Sequence, residues 1–142
     1  MMLTSCTVKT GAHITKVNPY HLEPGYSPGT DEQMIDFEYR RKTYGAVTAK
    51  DFCDRYGNYY TIFWKTSNCS SPVTVRLQYR QAATGPKIFI QEKLVELPKR
   101  ANTTKFEIIG DDYAKQGAVT QWKASIMQDD AVVDEFKSFL WQ

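Results

Sequence analysis

The segment VTVRLQYRQ (residues 73–81) alternates apolar and polar side chains without a break, and this period of two constrains the fold more than any other feature. Val73, Val75, Leu77 and Tyr79 fall on one face and Thr74, Arg76, Gln78 and Arg80 on the other, as in a strand buried on one side. NYYTIFW (58–64) is apolar on both faces, with Tyr60, Ile62 and Trp64 opposing Tyr59 and Phe63. Such a segment is expected to be a central strand or one covered by another element. In MIDFEYRR (34–41), Ile35, Phe37 and Tyr39 alternate with Asp36, Glu38 and Arg40, so a strand is predicted there as well.

Further strands are predicted at KIFIQEKL, TKFEII, VTQWKASIM and VVDEFKSFLW. They are separated by turn residues at Thr84–Pro86, Pro98–Asn102, Gly110–Gly117 and Gln128–Asp130. The last of these turns should close a hairpin between Trp122, Ala124 and Ile126 and the final strand. Seven or eight short strands with little helix between them predict an antiparallel β-sandwich of immunoglobulin or fibronectin type III kind over residues 34–142. One helix is expected, in TAKDFCDRYG: Thr48 is a good N-cap, Asp51 completes a capping box, and Gly57 offers a stop. Its Ala49, Phe52, Cys53 and Tyr56 form one apolar face.

Residues 1–33 differ in composition. Pro19, Pro24, Gly25, Pro28 and Gly29 lie among small polar residues, which favours turns and extended chain. This stretch reads as a tether or loosely docked arm with one strand near His13–Val17. The net charge of +2 comes from interspersed charges, so the electrostatic footprint of a nucleic-acid binder is missing. Arg40, Arg41 and Lys42 are too few for a binding tail and read as a solvated strand end. No stretch approaches the ~20 apolar residues of a membrane-spanning helix.

No residue constellation in the chain points to catalysis, and none implies a cofactor. The three cysteines lack CxxC or Cys/His metal spacing. Cys53 and Cys69 flank the strand through Tyr59, whose ends are about 20 Å apart at ~3.3 Å per residue. A disulfide needs Cα atoms within ~7 Å. Without a fold-back of the helix, Cys53 is instead a buried, unreactive thiol on the apolar helical face. His13 and His21 fall in the arm, where a general base would lack rigid support. Asp111 with Asp112, and Asp129 with Asp130, fit turns better than calcium ligands. Asn68-Cys69-Ser70 and Asn102-Thr103-Thr104 match the glycosylation pattern. Aromatic residues make up 13% of the chain, with nine Tyr. Trp64 and Trp122 read as core, and Tyr44, Tyr59 and Trp141 as candidates for a surface stacking patch that would bind sugars or peptides. Tyr113, before a strand, is a candidate tyrosine corner.

Leu3-Thr4-Ser5-Cys6 resembles the bacterial lipobox, in which an aliphatic residue and two small ones precede a cysteine that becomes the lipid-modified N-terminus. Only Met1 and Met2 precede the motif, so the resemblance implies a basic and apolar leader upstream of Met1. Several acyl chains at ~0.8 kcal/mol per buried methylene would anchor the protein firmly. Thr7 after the cysteine resembles lipoproteins sorted to the outer membrane, facing the periplasm or the surface. The segments YGAVTAKDFCDRYGNYYTIFW, VTVRLQYRQ and VTQWKASIM, with the terminal SFLW, resemble bacterial envelope proteins with an immunoglobulin-like sandwich. The resemblance implies a non-enzymatic cell-envelope lipoprotein, anchored through Cys6, that contacts other envelope proteins. The alternative is a pilus-like or adhesin-type module that binds glycans through exposed Tyr and Trp.

Overall fold

Residues 11–24 and 33–141 are described by a computed structural model in which the alternating segments become seven strands. These are β1 (His13–Leu22), β2 (Gly57–Lys65), β3 (Val73–Gln81), β4 (Phe89–Val95), β5 (Ala101–Ile109), β6 (Val119–Gln128) and β7 (Ala131–Lys137). All pairings are antiparallel, giving one sheet in the order β1-β2-β5 and a second in the order β4-β3-β6-β7. The chain is therefore mainly β. Its two sheets share one core, an arrangement consistent with a β-sandwich: Tyr60, Ile62, Trp64, Phe106 and Ile108 from the first meet Val73, Val75, Leu77, Ala124 and Ile126 from the second. Each fully buried side chain of this kind contributes about 1.5–3 kcal/mol.

The period of two is realised where it is most regular. Along β3 every odd-numbered residue is buried, and along β5 Thr104, Phe106 and Ile108 point in while Thr103, Lys105 and Glu107 are exposed. Inside the core, Trp64 donates its indole N–H to the Thr104 hydroxyl at 2.9 Å. No buried side-chain nitrogen or oxygen among the described residues lacks a partner.

Both flanks of the sheet pair are partly closed by side chains. The free edge of β1 gives its Ile14 amide to the Asp134 carboxylate at 2.7 Å and its Ala12 amide to the Gln128 side chain at 3.4 Å. On the other flank, Gln91 donates to the Glu107 carbonyl at 3.2 Å, and Lys93 donates to the Lys105 carbonyl. Pro19, which has no N–H to contribute, suits an edge strand, and a bulge between Ile14 and Lys16 further roughens that edge. Each device blunts the tendency of an open edge to recruit another strand.

Several sequence expectations are corrected. Three short helices are present where one was expected: α1 (Gln33–Lys42), α2 (Ala49–Cys53) and α3 (Asp111–Gln116). MIDFEYRR lies in α1 rather than in a strand. Met, Glu and Arg are good helix formers, Ile35 is the segment's sole β-branched residue, and Arg40, Arg41 and Lys42 in the last turn oppose the negative end of the helix dipole. Glu38 and Arg41 form an i,i+3 ion pair at 3.8 Å. The α2 capping box forms as read, with Thr48 and Asp51 each accepting the other's backbone N–H at 3.1 Å. The helix nevertheless ends at Cys53, before its apolar stripe completes a second turn, so Cys53 is exposed rather than buried. Gly57 is not a helix stop. It opens β2 with φ of 150°, and a Cβ there would lie 2.1 Å from the Ile108 carbonyl oxygen. The final strand stops at Lys137, and Ser138 then bonds back to both backbone groups of Trp122.

Candidate functional site

The outward face of β1-β2-β5 carries a cleft beside helix α1. Its register sets side chains in rows across the three strands: Tyr20-Tyr59-Glu107, Asn18-Thr61-Lys105 and Lys16-Phe63-Thr103, with Lys65 beyond them at the end of β2. Helix α1 lies over the first row. Lys42 sits 4.5 Å above the Tyr59 ring, and Tyr20 leans on the same ring at 6.3 Å. Arg55 fixes the end of the helix by donating to the carbonyls of Lys42 at 3.1 Å and Tyr44 at 3.0 Å, which the helix itself leaves without partners. Between α1 and the sheet runs a cleft of about 460 Å³, lined by Tyr20, Glu38, Arg41, Lys42, Thr61 and Phe63 among others. It continues along β2 into a second depression that shares Asn18, Phe63 and Thr103 and reaches Lys16 and Lys65.

Electrostatics follow from this packing. Burial lowers the Lys42 pKa, and the neighbouring Arg41 and Lys105 charges add to the effect, partly offset by Glu38 and Glu107. Burial also pushes the Tyr59 phenol up to about 12, and its hydroxyl donates to the Arg55 carbonyl at 2.5 Å. Tyr59 is therefore a neutral floor beneath an ammonium group.

The side of α1 away from the sheet is open, and there aromatic rings flank arginines. Phe37, Arg40, Arg41 and Tyr44, spaced i, i+3, i+4 and i+7, line a shallow cleft of about 410 Å³. Phe37 is 59%, Tyr44 83% and Val47 84% exposed.

The three aromatic candidates for a stacking patch are not brought together. Tyr44 is exposed beside α1, whereas Tyr59 is only 5% exposed beneath it. Trp141 lies over the outward face of the other sheet, its ring 4.5 Å from the Arg80 guanidinium and 5.4 Å from the Lys123 ammonium. Trp64 is core, and Trp122 packs partly buried against it, stacked on Phe136. Cys6 lies outside the described residues. Cys53 and Cys69 are free, exposed thiols. Asn68 and Asn102 bond within their own turns, to Ser71 and to the Lys99 backbone.

One cluster escaped the sequence reading. His21 Nε2 lies 2.8 Å from the Tyr113 hydroxyl, and its Nδ1 lies 3.3 Å from the Glu23 carboxylate. Tyr113 sits in α3 and bonds a side chain of β1 rather than nearby backbone, which replaces the expected tyrosine corner. Burial raises the pKa of the Tyr113 phenol, and the neighbouring Glu23 carboxylate adds to the effect. The two histidines lie eight residues apart in a segment read as loose, and nothing in that spacing foretold the link to Tyr113. Among the described residues, no three His, Cys, Asp or Glu side chains gather as a metal site. No protein-family model, curated protein or solved structure matches the chain.

Proposed function

We propose that this chain is a non-enzymatic lipoprotein of the bacterial cell envelope, held to the outer membrane through Cys6, whose immunoglobulin-like sandwich presents α1 and the α1–α2 loop to another envelope protein. Strand order supports the finer fold assignment. Lettered along the chain, the sheets read A-B-E and C′-C-F-G, which is the constant-type immunoglobulin arrangement except that the fourth strand pairs in the second sheet instead of the first.

The observation that carries the interaction reading is the exposure of Phe37, Tyr44 and Val47 around Arg40 and Arg41. Apolar side chains rimmed by cations, with aromatic and Arg residues prominent, have the composition of a protein contact surface. Its position fits a tethered domain. Gly11, the residue nearest Cys6 in the described chain, borders Lys65 and Ala101 at one end of the sheet. Tyr44 is tied through Arg55 to the other end, where β2 begins. Nine residues of β2 separate the two, about 30 Å at ~3.3 Å per residue.

Photo-cross-linking in the native host tests the contact. A photoreactive residue at Phe37 or Tyr44 is expected to give an adduct of one defined mass, and the same residue at Thr74 on the opposite sheet is expected to give none. Absence of adducts at both positions, or equal labelling at Thr74, overturns the assignment.

A further inference from the structure

The outward face of β1-β2-β5 is cationic in a way that the α1 contact does not use. Lys16, Lys65 and Lys105 project from three different strands onto it and are exposed. None of the three is ion-paired among the described residues. Arg41 and Lys42 add charge from the helix side, against Glu38, which Arg41 already engages, and Glu107. Lys16 and Lys105 flank β2 from opposite sides, about 12 Å apart by the ~4.8 Å strand spacing and their two-residue offset. Between them lie one partly open ring, Phe63, and the neutral hydrogen-bonding side chains of Asn18, Thr61 and Thr103.

We propose that this groove binds an extended acidic polysaccharide, with Lys16, Lys65 and Lys105 holding carboxylates, Phe63 supporting a sugar ring, and Asn18, Thr61 and Thr103 bonding hydroxyls. Charge complementarity calls for an anion, and ammonium–carboxylate hydrogen bonds are the strongest contacts the face can make. The remaining chemistry selects among anions. An acidic peptide would gain most by adding as a strand, but Asp134 and Gln128 hold the start of the β1 edge, Pro19 has no N–H to offer further along it, and Gln91 and Lys93 engage the β5 edge. Single-stranded nucleic acid needs successive stacking rings. Here Tyr59 is covered by Lys42 and Tyr20 is packed against it, which leaves Phe63 alone. One ring surrounded by hydroxyl and amide groups, with cations on each side, suits a hydroxyl-rich polymer bearing carboxylates. This inference does not rest on the lipid anchor, and of the groups it uses only Arg41 also borders the Phe37–Tyr44 contact.

The test is NMR titration of the 142-residue chain with oligogalacturonate, beside its neutral methyl ester, poly-glutamate and oligothymidylate. Oligogalacturonate is expected to shift the amides of Lys16, Thr61, Phe63, Thr103 and Lys105, and to weaken by about tenfold or more from low to high salt. The Lys16→Gln/Lys105→Gln double variant is expected to lose binding by at least about tenfold with an unchanged melting temperature, since both positions are exposed. Phe63→Leu is expected to weaken binding while keeping its salt dependence. No binding, shifts located elsewhere, equal binding of the methyl ester, or equal or tighter binding of poly-glutamate or oligothymidylate overturns the proposal.

Discussion

Tyr59 and Tyr60 are adjacent residues with opposite surroundings, one beneath Lys42 on the outward face and one in the core against Trp122. Burial raises both phenol pKa values from the ordinary 10.0, Tyr59 to about 12 and Tyr60 further. The unfolded chain therefore releases these protons at a pH where the folded chain still holds them. This contribution is fully present below pH 10 and is lost as the pH rises through the folded-state values, so stability should fall between about pH 10 and 12. Denaturant unfolding followed across that range, with tyrosinate absorbance recorded in parallel, should show a declining midpoint and a shallower decline in Tyr59→Phe. A midpoint that is flat to pH 12 would contradict the packing described for both rings. Individual residues were legible in the sequence where their environment is set by alternation, as for Val75 and Leu77. Tyr59 was misread as a surface candidate because its cover comes from α1, a non-neighbouring element. Gly57 was misread because its need for a bare Cα arises from Ile108, fifty-one positions away in the chain.

At the level of elements, the strands with the cleanest period were the most legible, since burial on one face leaves only one workable register. The α1 segment shows where that rule fails. Ile35, Phe37 and Tyr39 alternate with charged residues, but helix propensity and a basic last turn outweighed the alternation. Phe37 consequently faces solvent. The side-chain closure of the sheet edges was not visible in the sequence either, because Asp134 reaches Ile14 from a strand 120 residues away. Asp134→Ala removes a charged acceptor from the β1 edge and should cost about 1 kcal/mol, with amide exchange at Ile14 faster by several-fold. Unchanged exchange at Ile14 would show that the edge is held by something other than this carboxylate. Cys53 belongs to the same scale: an apolar stripe of four residues implied a buried face, and a helix of five residues was too short to deliver it.

For the whole molecule, the antiparallel arrangement in two sheets around one core followed from turn spacing and period, but the strand count agrees only because β1, in the stretch expected to be a tether outside residues 34–142, takes the place of the strand expected at MIDFEYRR. The strand order did not follow from them. It depends on which connections cross between sheets, and β2–β3, β4–β5 and β5–β6 cross while β1–β2, β3–β4 and β6–β7 return within one sheet. This topology puts the beginning of β1 at one end of the sandwich and the exposed α1–α2 loop toward the other, the layout expected of a domain tethered at one end and engaged at the other. The tether is the central claim, and it rests on Leu3-Thr4-Ser5-Cys6. Its most direct test is mass spectrometry of the N-terminal peptide of the protein isolated from membranes of its native host. The account predicts that Cys6 is the first residue and carries a diacylglyceryl thioether. An unmodified Cys6 inside a peptide that continues back through Ser5 and Thr4 would contradict it.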